Sequence, residues 1–217
     1  MKLPVITIDG PAGAGKSTVA REVAKILGFT YLDTGAMYRA LTLLALNRQV
    51  ATDDENALYQ LALETSIELK ENKVYLNGED VTKEIRSPEV SAQVSYVAKQ
   101  PLIRTIMTKW QRDLVKDGGI VLDGRDMGSV VCPDAEVKIF LTASVEERVK
   151  RRLLELNQKG IKMEYDKLKQ NIIERDKIDT EREVAPLKVP KGAHILDSTG
   201  LSIDEVVQEI VSKCRKE

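Results

Sequence analysis

Short runs of consecutive apolar residues alternate along the chain with stretches whose apolar positions recur every three or four residues. Residues 3–8 form a run of the first kind and stop at Asp9-Gly10, which predicts a buried strand. Across 17–27, apolar residues stand at 19, 20, 23, 24 and 27, the spacing of one helix face. Residues 29–32 predict a second short strand, ending at Asp33-Thr34-Gly35, and 36–47 a helix. Residues 120–122 and 137–141 predict two more strands, the first ending at Asp123-Gly124 and the second followed by a helix from about Val145. Ser144-Val145-Glu146-Glu147 has the residues of a capping box at that helix start, and Ser202-Ile203-Asp204-Glu205 repeats them before a C-terminal helix. Ile195 and Leu196 predict the last strand. Strands alternating with helices imply an α/β fold, a parallel sheet covered on both faces.

Residues 66–81 break this rhythm. Ile67/Leu69 and Val74/Leu76 alternate with polar residues at strand period, and Glu71-Asn72 and Asn77-Gly78 supply turn signals. They predict a small antiparallel element. Residues 63–97 therefore read as an insert within a core formed by 1–62 and 98–217. Two helical patterns, 90–99 and 102–116, follow. At ~150 residues per domain, 217 residues suit one domain carrying an insert. The sequence has no internal repeat and no low-complexity tract.

Composition narrows the chemistry. Lys and Arg number 33 against 34 Asp and Glu, a net charge of −1, which argues against binding nucleic acid through bulk positive charge. The two cysteines, Cys132 and Cys214, lie far apart, so neither a disulfide scaffold nor a cysteine zinc site is expected. His194, the single histidine, excludes a metal site needing two, and reads as a structural residue entering a buried strand. No run approaches the ~20 apolar residues of a membrane span. The N-terminal apolar stretch ends at Asp9, too soon for a signal peptide, so the expected compartment is the cytoplasm.

The strongest signal is Gly10-Pro11-Ala12-Gly13-Ala14-Gly15-Lys16-Ser17, which fits G-x-x-x-x-G-K-[ST] between a predicted strand and a predicted helix. Glycines let the backbone curl so that successive N–H groups face one concavity, and the helix N-terminus adds positive potential there. Lys16 reaches the terminal phosphates of a nucleotide, and Ser17 contacts Mg²⁺ directly or through water. Loops of this kind serve kinases, ATPases and GTPase switches. The guanine-reading Asn-Lys-x-Asp is missing, since Asn72-Lys73 is followed by Val74-Tyr75.

A nucleotide kinase must hold two anionic phosphate chains, and arginine suits this because its planar fork binds phosphate oxygens in pairs. Candidates are Arg39, Arg125, the helical Arg148, Arg151 and Arg152, and Arg175 and Arg182. Arg148 and Arg152 share a helix face, where a salt-bridged surface is the competing explanation. Arg125 directly follows a strand at the carboxyl edge, where ligands bind in open α/β sheets.

The sequence resembles the bacterial cytidylate kinases. The resemblance is carried by Ile6-Thr7-Ile8-Asp9-Gly10-Pro11 and the phosphate loop, Leu32-Asp33-Thr34-Gly35-Ala36-Met37-Tyr38-Arg39, Gly78-Glu79-Asp80-Val81 and Asp123-Gly124-Arg125-Asp126-Met127-Gly128. Further matches are Pro133-Asp134-Ala135, Lys138-Ile139-Phe140-Leu141, Ala185-Pro186-Leu187 and Leu196-Asp197-Ser198-Thr199. It implies a three-layer P-loop fold with a five-stranded parallel sheet, an acceptor-binding α+β insert and a short lid near 148–165. It implies ATP·Mg²⁺ as donor and CMP or dCMP as acceptor in a cytoplasmic monomer. By resemblance, Gly10, Pro11, Ala12, Gly13, Ala14, Gly15, Lys16, Ser17 and Thr18 hold the donor phosphates, with Arg152 from the lid. Arg39, Arg125 and Arg182 hold the acceptor phosphate and, with Lys16, neutralise the transferring group. Ser95, Arg104 and Asp126 surround the cytosine, Arg175 and Asp179 reach the sugar, and Thr34 joins the acceptor site. Apart from the resemblance, Asp123 at its strand end reads either as orienting Mg²⁺-bound waters beside Ser17 or as a strand-end cap. The competing readings are another small-molecule P-loop kinase and a nucleotide-binding regulator without turnover. Asp-Gly-Arg-Asp-Met-Gly disfavours the first, and the acceptor-side arginines disfavour the second.

Overall fold

The computed structural model describes residues 3–70, 73–158 and 160–214. In chain order its main elements are β1 (Val5–Asp9), α1 (Lys16–Leu27), β2 (Thr30–Asp33), α2 (Thr34–Asn47), α3 (Glu55–Leu63), β3 (Ile67–Lys70), β4 (Lys73–Leu76), β5 (Glu79–Asp80), α4 (Pro88–Ala98), α5 (Pro101–Leu114), β6 (Ile120–Gly124), β7 (Val137–Thr142), α6 (Val145–Gln158), α7 (Tyr165–Glu181), β8 (His194–Asp197) and α8 (Ile203–Cys214). They fall into two compact units. One takes in the described residues of Met1–Tyr31, Asp117–Glu181 and Ala185–Glu217, and the other comprises those of Leu32–Lys116 and Arg182–Val184.

The first unit is organised by a five-stranded, all-parallel sheet in the order β2-β6-β1-β7-β8. β1 and β6 are buried at every position, as central strands covered on both faces must be. Their register sets Val5 opposite Ile120 and Asp9 opposite Gly124. β7 flanks β1 on the other side, with Ile6 opposite Val137. This register brings Asp9-Gly10 and the chain leaving β6 to one carboxyl edge. Ile6, Ile8, Val121, Ile139 and Leu141 pack with Val19 and Val23 of α1 and Val207 and Ile210 of α8. Each such side chain contributes about 1.5–3 kcal/mol on burial. α6 and α7 pack through Val149, Leu156, Leu168 and Ile172.

The second unit is mainly helical. Met37, Tyr38 and Leu41 of α2 join Leu58 of α3, Val94 of α4, and Ile103 and Met107 of α5 in one core. A second core sets α2 against the antiparallel sheet β3-β4-β5 through Ala36, Ala40, Val74 and Leu76. Ile67 pairs with Leu76 and Tyr75 with Asp80. Asn77 and Gly78 both have positive φ, 51° and 87°, as an Asn-Gly hairpin turn requires. The other expected turn, Glu71-Asn72, lies outside the described residues.

Three expectations need correction. β8 is an edge strand in which Leu196 alone is buried; His194 is exposed and Ile195 is 65% exposed, because among the described residues nothing pairs beyond β8 in the sheet. At α6, Ser144 Oγ accepts from the Glu147 N–H at 3.2 Å, but the reciprocal half of the box is absent. Thr199 Oγ1 takes the Ser144 N–H at 2.9 Å, and Glu147 turns to Arg151 instead. α8 does make both halves, between Ser202 and Glu205. Third, Arg148 is not on a solvated helix surface, as described below. Sequence periodicity also passed over α3 and α7. α7 buries only Leu168, Ile172 and Asp179, too few apolar positions to show a stripe.

Candidate functional site

At the carboxyl edge of the sheet the Gly10–Ser17 loop turns back into α1. Gly10 has φ 151°, and a Cβ there would lie 1.9 Å from the Leu141 carbonyl oxygen, so only glycine lets the loop pass β7. Gly15, with φ 89°, precedes the first turn of α1. Lys16 is buried, and its ammonium donates to the Pro11 carbonyl at 2.8 Å. Burial first, then the neighbouring charges of Arg125 and Arg175, pull its pKa well below the ordinary lysine value, while Asp123 and Asp179 oppose them. A group so placed gains from an arriving phosphate dianion, which supplies the negative charge it lacks.

The side chains leaving β6 and α7 complete this cluster. Ser17 Oγ donates to Asp123 Oδ2 at 2.9 Å, and Tyr31 donates its phenolic hydroxyl to Asp123 Oδ1 at 2.8 Å. Arg125 Nε donates to Asp179 Oδ2 at 2.8 Å in a largely buried pair. Burial works against the Arg125 charge, but Asp179 beside it holds the pKa above its ordinary value. Arg175 is pushed down to about 10 by burial and by Arg125, and its Nε is buried with no hydrogen-bond partner among the described residues. The carboxylates of Asp123 and Asp179 oppose burial of the Lys16 charge, and Asp176 and Asp179 do so for Arg125 and Arg175. Asp126, also buried, sits where its charge raises the pKa of Asp9.

Two of the α6 arginines brace the loop. Arg148, 5% exposed, donates to Ala12 O at 2.8 Å, to Ala143 O at 3.1 Å and to Asp176 Oδ2 at 2.5 Å. Asp176 Oδ1 accepts the Ala12 N–H at 2.9 Å, so the pair grips both polar atoms of one loop residue. Arg151 donates to Ala14 O of the loop at 3.5 Å and holds Ser198 through its hydroxyl at 2.9 Å and its carbonyl at 2.6 Å. Arg152 donates to Glu155 on its own helix at 2.5 Å. The roles of Asp176, Tyr31 and Asp9 escaped the sequence reading. Of these, Asp9 stands in a stretch that carries the family resemblance, and Asp176 follows the candidate Arg175 directly.

In the second unit, Thr34 is the buried first residue of α2, capped by Asp33, whose Oδ1 accepts the Ala36 N–H at 3.0 Å. Asp33 Oδ2 also accepts from Arg86 at 2.6 Å. Arg39 donates to Ser91 Oγ at 3.0 Å. Arg104 is buried on α5, donates to Ala98 O at 3.1 Å, and lies 5.5 Å from the Tyr38 ring centroid. The Ser95 hydroxyl is buried with no partner among the described residues. Arg182 is buried as well.

The Ser17–Asp123 pair offers the hard oxygen donors that Mg²⁺ prefers. Among the described residues no three His, Cys, Asp or Glu side chains gather around a point. Mg²⁺ usually takes one or two protein ligands and completes its shell with water and phosphate, a role that the Ser17 and Asp123 oxygens fit. No helix of the described residues is long and apolar enough to cross a membrane.

Comparison with known proteins places this arrangement. The chain is 57% identical over 210 residues to a cytidylate kinase of Geobacillus sp. strain WCH70, covering 95% of this chain and 94% of the relative. It is 48% identical over 211 residues to a cytidylate kinase of Caldanaerobacter subterraneus subsp. tengcongensis, covering 97% and 94%. Among solved structures, an uncharacterised protein from Eubacterium ventriosum shares the fold with a TM-score of 0.56 at 12% identity, covering all of both chains. The pattern described for cytidylate kinase matches residues 6–216, from the strand that launches the phosphate loop through α8, and the chain belongs to the cytidylate kinase family.

Proposed function

We propose that the protein transfers the γ-phosphoryl group of ATP to CMP or dCMP, giving ADP and CDP or dCDP. The observation that carries this reading is the family match across 6–216. An acceptor phosphate oxygen attacks the γ-phosphorus in line, a new P–O bond forms, and the bond to the β-phosphate oxygen breaks. The acceptor phosphate is largely ionised near neutral pH, so the reaction needs no strong general base. Positioning and charge neutralisation carry the catalysis.

Lys16 leaves the Pro11 carbonyl for the donor phosphates, which the Gly10–Thr18 loop holds, the Gly13–Thr18 amides cradling them while the Ala12 N–H stays with Asp176. Arg39, Arg125 and Arg182 bind the acceptor phosphate. Ser17 and Asp123 would hold Mg²⁺, which would offset the charge of the donor phosphates. Arg152 exchanges Glu155 for the donor phosphates, and Arg175 and Asp179 contact the sugar. The 63–97 insert and the 148–165 lid exclude water during transfer and so suppress ATP hydrolysis; Lys159, within that lid, lies outside the described residues. The protein works as a cytoplasmic monomer.

Ser95, Arg104 and Asp126 read the base. The unpartnered Ser95 hydroxyl supports this, because a buried polar group without a partner costs about 1–3 kcal/mol that a ligand recovers. A carboxylate at Asp126 accepts from the cytosine amino group. Uracil presents an oxygen in that place, and two acceptors then face each other. The test is ADP release from ATP·Mg²⁺ with CMP, dCMP, UMP, AMP, GMP and shikimate. Turnover confined to CMP and dCMP is expected. Turnover with another acceptor alone overturns the base assignment, and ATP binding without transfer overturns the reaction.

A further inference from the structure

Asp9 ends β1 and is fully buried. Its Oδ1 accepts the Met127 N–H at 2.8 Å and its Oδ2 the Gly128 N–H at 2.8 Å. These two amides open the π-helical turn Met127–Val131. The turn's own bonds run from the Val130 and Val131 amides back to the Asp126 carbonyl, at 2.9 and 3.2 Å. A helical turn cannot satisfy its first amides internally. Asp9 satisfies them from a strand more than a hundred residues earlier. Gly128 shows how closely the turn lies on β1: a Cβ there would stand 2.8 Å from Thr7 Oγ1 and 3.1 Å from the Pro190 ring.

The chemistry of the cap matters. Only an ionised carboxylate presents two acceptor oxygens side by side to two amides; an amide or a protonated acid would set a hydrogen against one N–H. Burying that charge is costly. Burial, reinforced by Asp126, raises the Asp9 pKa from 3.8 to about 6 against the pull of the two amides. A Ser or Asn would cap one amide at less cost. The second bond adds control of rotation as well as position, and the segment so fixed begins directly after Arg125 and Asp126.

We propose that Asp9 is a positioning residue for acceptor specificity: its clamp on the Met127 and Gly128 amides sets the Asp126 carboxylate against the nucleobase. This rests on Asp126 reading the base, as proposed above. Asp9 itself touches no substrate.

The test uses Asp9→Asn, Asp126→Asn and the double variant in the full chain, with folding checked by circular dichroism and thermal melting. kcat and KM are measured for CMP and UMP at saturating ATP·Mg²⁺. Losing one charge-assisted bond at Asp9 should raise the KM for CMP about tenfold and narrow the CMP/UMP ratio of kcat/KM by a similar factor. The KM for ATP should change less than about twofold. Asp126→Asn should narrow the ratio too, since its amide can donate to uracil. The double variant should narrow it no further than Asp126→Asn alone. A wild-type ratio in Asp9→Asn beside a narrowed one in Asp126→Asn overturns the Asp9 proposal and leaves the base reading standing. A wild-type ratio in Asp126→Asn overturns the base reading and the proposal with it. An equal fall of kcat for both acceptors, with KM unchanged, assigns Asp9 a structural cap only and overturns the proposal. If Asp9→Asn does not fold, Gly128→Ala lifts the turn off Thr7 with Asp9 intact, and a wild-type ratio there overturns the proposal equally.

Discussion

Replacing Arg148 with methionine tests whether α6 braces the phosphate loop. Methionine keeps an unbranched apolar stem and removes the guanidinium. Three bonds disappear, to Ala12 O, Ala143 O and Asp176, the longest of them 3.1 Å. Breaking one side of a buried ion pair costs about 3–5 kcal/mol. The Asp176 side chain is 20% exposed, so water recovers part of this, and the expected loss is about 2–4 kcal/mol. At about 2–4 °C per kcal/mol for a chain of this size, Tm should fall by about 5–15 °C. Adding Asp176→Asn removes the stranded charge yet leaves an oxygen for the Ala12 amide. The double variant should therefore be at least about 1 kcal/mol more stable than the sum of the two losses. The KM for ATP should rise several-fold, since Ala12 is held on both sides by this pair, while the KM for CMP stays near wild type. Urea denaturation and steady-state kinetics read both. A Tm within about 2 °C of wild type, or additive losses, would refute the brace.

Lys16→Ala should fold and bind CMP but lose kcat by about two or more orders of magnitude, because a buried cation at the transferring group is gone; near wild-type turnover contradicts the role. Tyr31→Phe keeps the ring but removes a bond to the buried Asp123 carboxylate, costing about 1.5–3 kcal/mol. It should raise the Mg²⁺ concentration for half activity and lower Tm by several degrees; an unchanged melt and Mg²⁺ titration count against it. Asp9 titrates in the fold at about 6 against 3.8 unfolded. Between those values the folded state binds more protons, so stability relative to Asp9→Asn falls as pH rises from about 4 to about 6 and is flat above. Two pK units correspond to about 3 kcal/mol. Urea titrations of both proteins across that range check this, and a difference that stays constant or rises with pH contradicts the raised Asp9 pKa.

The phosphate loop was legible because its chemistry is local. The glycines, Lys16 and Ser17 stand within eight positions, and flanking periodicity names the strand and the helix. The same holds for β1, α1, β6 and β7, whose apolar runs are long enough to carry their own signal, and for the Asn77-Gly78 turn. Arg125 could be singled out because it directly follows a strand end, and Asp126 through the motif that carries the family resemblance. Other features depended on residues remote in sequence. Arg148 had the spacing of a surface ion pair, and only the packing of α6 against the loop makes it a buried brace with Asp176. Ser144 had the capping residues, yet a hydroxyl 55 positions away took the amide. Ile195 looked like a buried strand residue because hydropathy does not say which strand lies at the edge of a sheet. Asp9 looked like the punctuation after β1, since a carboxylate announces nothing about amides more than a hundred residues away. Local composition determines which segments become strand, helix and phosphate loop, because backbone geometry and periodic burial act over a few residues. Which polar groups end up buried, and with what partner, is decided only when distant segments are packed together and each desolvated donor or acceptor must be satisfied.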